Sequence, residues 1–305
     1  MFKKKILVLE NIQDAGIELL KKKFIVIKKF EINRKKQLNL IKNFDAIIIK
    51  STVKVNKEFI DKAKNLKVIA RAGTGLDNID IKYCKKKKIK VINTPSLNSN
   101  AVADFTVMQI LCLVRNAYKA QSMIKNNDFR RDLLLGRDMG CLKIGIIGFG
   151  NVGRKVAKRL KSFGSQIYVF EQKKINKNFK KVKSLDRLIK ISDVLSLHVP
   201  LNASTFNMIS FKQLKKMKNK VLIVNTSSAN IVDAKSILKS KKKIIYATDL
   251  LDKEPPLDFK PKFKKYKNKL LRKENIIITP HMAASTLDTQ KKISMHLSKE
   301  LISQL

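Results

Sequence analysis

The stretch Gly145-Ile-Ile-Gly148-Phe-Gly150-Asn-Val-Gly153 holds four of the ten glycines in a chain of 305 residues. Its last three glycines form the pattern G-x-G-x-x-G between an apolar run, 143–147, and a helical pattern, 154–162. In that setting the first glycine permits a tight turn, the second lets backbone approach a pyrophosphate, and the third lets the helix pack on the strand. The helix N-terminus would then face the phosphate charge. The stretch therefore predicts a dinucleotide-binding turn.

A second strand pattern, 166–170, follows the turn and ends in Glu171. A carboxylate at this point can accept hydrogen bonds from both ribose hydroxyls of NAD and would repel the 2′-phosphate of NADP. Lys173 and Lys174 follow directly and are compatible with that phosphate. The pattern as a whole favours NAD as the cofactor.

Short β-branched apolar runs alternate with helix-length segments along the whole chain. This rhythm is typical of βαβ units with parallel sheets, and the length suits two domains. We therefore expect an α/β fold of two doubly wound parallel-sheet domains. The predicted strands are Ile6 to Leu9, Phe24 to Ile27, Ala46 to Ile49, Val68 to Ala70, Val91 to Ile92, Ile144 to Ile147, Ile167 to Phe170, Val194 to Leu197, Val221 to Val224, Ile244 to Ala247 and Ile276 to Thr279.

Three further segments carry structural signals. The longest helical pattern, 101–119, has apolar residues on more than one side, which predicts burial between domains or against another subunit. Residues 286–304 have a helical pattern as well, and the basic segment 258–273 predicts a solvated loop or a short helix.

The charge balance is strongly basic, with 67 Lys and Arg against 24 Asp and Glu, and ten of the 67 are arginine. A positive surface favours polyanions and steers anionic substrates. The lysines are scattered through every segment, however, which favours a solvated lysine-rich surface over a nucleic-acid site. Three cysteines without metal-ligand or redox spacing predict buried free thiols and no metal site. No apolar run reaches the roughly 18 residues of a membrane span, so we expect a cytoplasmic protein.

The three histidines have different contexts. His296 lies in the C-terminal helical pattern, which indicates a surface or packing role. His198 ends a strand at the edge of the sheet where ligands bind, so its position is compatible with a cofactor contact or with a structural role. His281 also ends a strand and is followed by small residues. Hydride exchange between a nicotinamide and a carbonyl needs a group that gives and takes a proton near neutral pH, which histidine does. Glu254, after the preceding strand, is a candidate carboxylate to orient it.

The chain resembles the D-isomer-specific 2-hydroxyacid dehydrogenases nearly end to end, and within them the members that oxidise 3-phosphoglycerate. The segments that carry the resemblance are 70–80 (ARAGTGLDNID), 91–99 (VINTPSLNS), the glycine turn, 198–201 (HVPL), 249–256 (DLLDKEPP) and 279–286 (TPHMAAST).

This resemblance implies a flavodoxin-like substrate domain, residues 1–97 plus 283–305, and a Rossmann NAD-binding domain, residues 98–282, that forms a homodimer. The implied reaction is NAD-dependent oxidation of a small anionic D-2-hydroxy acid to a 2-oxo acid, with 3-phosphoglycerate as the leading substrate. No membrane or nucleic-acid partner is expected.

The resemblance also assigns residues. It makes His281 the acid/base, Glu254 its partner and Asp249 a contact to the nicotinamide carboxamide. Lys50-Ser51 stands where the family has Arg-Ser near a substrate phosphate, and lysine is a competent phosphate ligand. The remaining cofactor residues are Gly148, Gly150, Asn151, Val152, Gly153, Glu171, His198, Pro200 and Thr226, and the backbone at Ala72, Gly73 and Thr74 would meet the substrate carboxylate.

One departure bears on catalysis, because Ser228 stands where the family has its catalytic arginine. Losing a guanidinium that grips the carboxylate and polarises the carbonyl costs on the order of 3 kcal/mol, more than a hundredfold in rate. Three hypotheses follow. The chain is an active dehydrogenase in which Arg71, Lys253 or the partner subunit's Arg131 compensates; it is a related enzyme with a shifted substrate such as hydroxypyruvate or glyoxylate; or it is a non-catalytic NAD-binding interaction protein.

Overall fold

The computed structural model describes residues 3–252, 254 and 266–305, which fall into two compact units. The first unit contains residues 3–98 and 285–305, and the second contains residues 99–252, 254 and 266–284. Each unit has one parallel sheet, with five strands in the first and seven in the second. The predicted α/β fold of two parallel-sheet domains is confirmed. Lys253 and residues 258–265 of the basic segment lie outside the described residues.

The sheet of the first unit has the order β2-β1-β3-β4-β5, the flavodoxin-like order. The central strand β3 is buried at every position, because helices cover both faces of a parallel sheet, whereas the edge strand β2 is exposed or half-buried. β1 and β3 are parallel neighbours, and the chain adds β2 on one side of this pair and β4 and β5 on the other. In open α/β sheets the carboxyl ends of the strands border a crevice at such a point. The strands are β1 Lys5–Val8, β2 Ile25–Lys28, β3 Ala46–Ile49, β4 Val68–Arg71 and β5 Lys90–Asn93, and the helices are α1 Asp14–Lys21, α2 Arg34–Leu40, α3 Lys57–Lys62, α4 Ile81–Lys86 and, from the C-terminal segment, α11 Leu287–Gln304.

The sheet of the second unit has the order β12-β11-β10-β9-β6-β7-β8, which is the Rossmann order extended by one strand. Its reversal point lies between β6 and β9, directly at the glycine turn. The strands are β6 Lys143–Ile147, β7 Gln166–Phe170, β8 Lys180–Lys181, β9 Val194–Leu197, β10 Leu222–Asn225, β11 Ile245–Thr248 and β12 Ile276–Ile278, and the helices are α5 Ser99–Val114, α6 Ala117–Lys125, α7 Asn151–Ser162, α8 Leu185–Ile191, α9 Phe211–Lys216 and α10 Ala234–Lys239.

Two details differ from the sequence prediction. The helix predicted over 101–119 ends at Val114, because Asn116 takes a left-handed conformation (φ 55°) and a new helix, α6, begins after it. The two-residue edge strand β8 had no apolar signal and was not predicted. The predicted C-terminal helix is confirmed as α11, which packs against α1, and Ser294 Oγ donates a 2.6 Å hydrogen bond to the Gln13 carbonyl.

The cysteines are all free thiols, as predicted, but they are not all buried. Cys84 is buried and Cys112 half-buried, whereas Cys141 is exposed because it ends a 3-10 turn, Met139–Cys141, at the surface. The prediction of burial is therefore wrong for Cys141. Among the described residues, none of the helices has the length and apolar character that crossing a bilayer would require.

Candidate active site

The glycine turn lies between β6 and α7, and each of its three motif glycines has a different environment. Gly148 has φ +89°, and a β-carbon built on it would lie 2.6 Å from the His198 carbonyl oxygen. A β-carbon on Gly153 would lie 2.1 Å from the Gly148 carbonyl oxygen. A β-carbon on Gly150 would meet no atom within 4 Å among the residues that the structure describes. The outer two glycines are thus required by packing, and Gly150 borders open space.

This arrangement fits a dinucleotide. The backbone at Gly150 caps the N-terminus of α7, whose first residues are Asn151 and Val152, and the free N–H groups of a helix N-terminus attract phosphate. The space in front of Gly150 is what the close approach of a pyrophosphate needs.

Glu171 follows β7 and contacts the same turn. Its Oε2 accepts a 2.8 Å hydrogen bond from Phe149 N–H, and its Oε1 accepts one of 3.1 Å from Lys173 N–H. Burial opposes ionisation of this carboxyl, but the backbone N–H groups of Phe149, Lys173 and Gln172 outweigh it and lower the pKa of Glu171. An ionised carboxylate beside the turn suits the ribose diol of NAD better than the phosphate of NADP.

His281 and Glu254 are brought together as predicted from the sequence. Nδ1 of His281 lies 3.0 Å from Oε2 of Glu254, and both side chains are partly exposed. Burial opposes ionisation of Glu254, but the hydrogen bond and charge of His281 and the Leu251 N–H outweigh it and lower the pKa of that carboxyl. His281 also has a left-handed backbone (φ 52°), an unfavourable conformation of the kind often found at functional sites.

Asp249, after β11, holds the segment that carries His281. Its carboxylate is buried and accepts hydrogen bonds from Thr279 Oγ1 at 2.6 Å, Met282 N–H at 3.0 Å and Ala283 N–H at 2.8 Å. Its carbonyl oxygen accepts the His281 N–H at 2.9 Å. Asp249 thereby fixes the unfavourable backbone of the histidine.

The other histidines are in environments unsuited to proton transfer. Burial lowers the pKa of His198 to about 3, so its ring is neutral at neutral pH, and its Nε2 shares a 2.8 Å hydrogen bond with Ser196 Oγ. His198 does border the turn through its carbonyl oxygen, and the exposed Pro200 follows it. His296 is on the exposed side of α11. His281 is therefore the histidine best placed for chemistry.

Ser228 follows β10 and begins a 3-10 turn, Ala229–Ile231. Its carbonyl oxygen accepts a 2.8 Å hydrogen bond from Asn225 Nδ2, so the backbone of this segment is well anchored. Thr226, just before it, shares a 2.8 Å hydrogen bond with Thr106 of α5. The backbone of the segment is held by hydrogen bonds, but the side chain at the family arginine position is a short hydroxyl.

The predicted substrate residues lie at the carboxyl ends of strands in the first unit. Lys50 and Ser51 follow β3, and Lys50 Nζ lies 3.3 Å from Gln290 Oε1. Ala72, Gly73 and Thr74 follow β4. The first unit thus gathers these five residues at one edge of its sheet.

Two further residues lie at this edge: Arg71, which the sequence offered as a substitute for the family arginine, and Glu10, which the sequence analysis did not single out. Arg71 folds back over the following loop, where a β-carbon on Gly73 would lie 1.7 Å from its Nη1. Its Nε is buried and, among the residues that the structure describes, has no hydrogen-bond partner. Glu10, after β1, is buried and accepts hydrogen bonds from the loop that holds Lys50. An acidic residue at a strand's carboxyl end is the only sequence signal that Glu10 offers.

Comparison with known proteins agrees with this geometry. The model of the D-isomer specific 2-hydroxyacid dehydrogenase NAD binding domain matches residues 107–283. A hydroxypyruvate reductase from Thermotoga maritima is 34% identical over 297 residues, which cover 96% of this chain and 95% of that protein.

A D-3-phosphoglycerate dehydrogenase from Archaeoglobus fulgidus is 31% identical over 306 residues, covering 98% of this chain; the chain spans about half the length of that relative, 56%. Among solved structures, a D-lactate dehydrogenase from Aquifex aeolicus complexed with NAD and lactic acid has a TM-score of 0.87 and 30% identity, covering 98% of this chain and 94% of that one. The family resemblance drawn from the sequence is confirmed. The chain belongs to the D-isomer specific 2-hydroxyacid dehydrogenases and is an NAD-dependent oxidoreductase that acts on CH–OH donors.

Proposed function

We propose that this chain interconverts a D-2-hydroxy acid and its 2-oxo acid, with His281 as the acid/base. The observation that carries the proposal is the 3.0 Å contact between His281 Nδ1 and Glu254 Oε2. In reduction the imidazolium donates a proton to the carbonyl oxygen as that oxygen gains negative charge, and in oxidation the neutral ring takes the hydroxyl proton. Glu254 orients the ring and stabilises its charged form. NAD supplies or accepts the hydride when bound.

The residues proposed to bind NAD all lie in the second unit. The backbone from Gly148 to Gly153 would hold the pyrophosphate, and Glu171 would accept hydrogen bonds from the adenosine ribose. Asp249 is proposed to meet the nicotinamide carboxamide in addition to holding the His281 segment. His198, Pro200 and Thr226 would line the same carboxyl edge of the sheet.

Arg71 is the cation proposed to compensate for Ser228. Its guanidinium lies against Gly73, in the loop whose backbone would meet the substrate carboxylate, and its Nε lacks a partner within the described ranges. A guanidinium is a strong carboxylate ligand. Of the other two candidates, Lys253 lies outside the described residues, and nothing in the structure favours the partner subunit's Arg131.

The proposed leading substrate is 3-phosphoglycerate, because Lys50 keeps a cation where the family binds phosphate. Reduction of hydroxypyruvate or glyoxylate is the second candidate, favoured by the Thermotoga maritima hydroxypyruvate reductase, which matches over nearly its whole length. NADH oxidation with 3-phosphohydroxypyruvate, hydroxypyruvate and glyoxylate tests both candidates.

A preference of tenfold or more in kcat/KM for the phosphorylated acid, lost in Lys50→Gln, supports the first candidate. Equal rates that are insensitive to Lys50→Gln support the second. NAD binding without turnover on any acid would support the third hypothesis, a non-catalytic interaction protein.

The proposed assembly is a homodimer through the second unit. Apolar side chains that follow α5 are exposed, namely Ile124, Phe129, Leu133 and Leu135. Exposed apolar side chains grouped in one segment are typical of a surface that another chain covers. The cytoplasmic location stays a prediction.

A further inference from the structure

Glu10 is a buried carboxylate, 6% exposed, two residues after the end of β1. Its Oε2 accepts hydrogen bonds from Lys50 N–H at 2.6 Å and Val53 N–H at 3.3 Å. Its Oε1 accepts from the N–H of Thr52 at 3.2 Å and from Thr52 Oγ1 at 2.7 Å. A buried carboxylate is rare unless it is paired, and here both oxygens are satisfied by a single loop.

The loop is fixed from a second direction as well. Asn78 Nδ2 donates to the Lys50 carbonyl at 3.0 Å and to the Val53 carbonyl at 2.8 Å. Glu10 therefore binds the N–H groups of the loop and Asn78 its carbonyl groups. Removing the Glu10 charge leaves Asn78 in place, so the loop would loosen rather than unfold.

Glu10 also acts on two cations through space. Burial lowers the pKa of Lys50 and of Arg71. The negative charge of Glu10 opposes that lowering at Lys50, and the charges of Asp77 and, less strongly, Glu10 oppose it at Arg71. Within the described ranges Glu10 acts on both cations through its charge and not through an ion pair. The carboxylate thus favours the charged forms of Lys50 and Arg71 without accepting a hydrogen bond from either side chain in the part of the chain that the structure describes, and Lys50 Nζ contacts Gln290 Oε1 instead.

We propose that Glu10 is a positioning residue of the acid-binding site: it holds the 50–53 loop, which carries Lys50 and Ser51, in one arrangement. This inference rests on the proposed function, in which Lys50, Ser51 and Arg71 bind the anionic groups of the substrate. The proposed function gives Glu10 no part in hydride or proton transfer. Its loss should therefore weaken substrate binding and leave the chemical step nearly unchanged.

The experiment compares steady-state kinetics of Glu10→Gln with wild type. Glutamine keeps the shape and one acceptor oxygen, but its NH2 group meets N–H or O–H donors. We expect KM for the 2-oxo acid to rise by about tenfold or more, with kcat within about threefold and NADH affinity unchanged. Thr52→Val, which removes only one hydrogen bond at an exposed side chain, is a milder variant and should raise KM by about two- to fivefold.

Asp193→Asn is the matched control. Asp193 is also a largely buried carboxylate that holds backbone, accepting from Lys143 N–H at 2.8 Å and Lys218 Nζ at 2.9 Å, but it lies in the second unit, after α8. Its loss should lower the melting temperature and leave KM unchanged. A KM increase in Asp193→Asn equal to that in Glu10→Gln would overturn the inference, because any lost buried carboxylate would then have the same effect.

An unchanged KM in both Glu10→Gln and Thr52→Val, with an active wild type, overturns the inference and leaves the proposed function standing. A wild type inactive on every acid instead overturns the proposed function. In that case amide hydrogen exchange decides the role of Glu10. Faster exchange at Lys50, Thr52 and Val53 in Glu10→Gln supports it, and equal exchange rates overturn it.

Discussion

Gly150→Ala should separate cofactor binding from folding at the glycine turn. The added methyl group would meet no atom of the described residues within 4 Å, and Gly150 has a backbone (φ −74°) that alanine can adopt. Alanine is a poorer helix cap than glycine, but it also restricts the unfolded chain, and these two effects on the free energy of unfolding are each below about 1 kcal/mol and opposite in sign. The melting temperature should therefore stay within about 3 °C of wild type.

NADH binding should respond quite differently. The methyl group would occupy the space in front of Gly150 that a pyrophosphate needs, and overpacking of this kind costs about 1–3 kcal/mol. The dissociation constant for NADH, measured by fluorescence titration, should rise by about 5- to 150-fold.

Gly140→Ala is the matched control, because its β-carbon would meet only the Phe163 carbonyl oxygen at 3.9 Å. It should change neither the melting temperature nor the NADH affinity. Wild-type NADH affinity in Gly150→Ala, at an unchanged melting temperature, would refute the placement of the pyrophosphate at this turn.

Three further predictions concern the proton donor, the cofactor preference and the assembly. Glu254→Gln removes the negative charge beside His281, so the alkaline midpoint of kcat/KM for reduction should fall. A half-exposed pair is worth about 0.2–1 kcal/mol, which is about 0.15 to 0.7 pH unit, and an unmoved midpoint would contradict the pairing. Glu171→Ala should lower the ratio of kcat/KM for NADH to that for NADPH by tenfold or more, and an unchanged ratio would exclude Glu171 from the ribose site. Leu135→Asp places a charge at a side chain that is 83% exposed, and sedimentation should show a shift from dimer to monomer; a wild-type monomer would contradict the assembly.

The sheet cores were predictable from the sequence because parallel strands are buried on both faces and appear as continuous β-branched runs. The strand β8 was missed because its two residues are lysines paired at a sheet edge, where no apolar signal is required. The break after Val114 was missed because the apolar pattern continues across it, and only the left-handed tolerance of Asn116 ends the helix.

The residues of the candidate site also fall into those that the sequence predicted and those that it did not. The glycine turn was predictable because its conformation needs a local residue type, and the pairing of His281 with Glu254 rested on two strand ends that lie near each other in one sheet. The contacts of Glu10 join residues 40 or more positions apart, and no spacing rule encodes them. The fold of Arg71 over Gly73 depends likewise on a side-chain conformation that composition does not reveal.

The measurement that tests the account most directly is NADH oxidation by wild type beside Ser228→Arg, with 3-phosphohydroxypyruvate, hydroxypyruvate and glyoxylate. The account predicts turnover of at least one acid by wild type. It also predicts that Ser228→Arg raises the rate by less than about a hundredfold. That factor, about 3 kcal/mol, is what such an arginine contributes where no other group replaces it. A silent wild type with an active Ser228→Arg would contradict the account, because it would mean that no other cation of this chain has taken over the arginine's role.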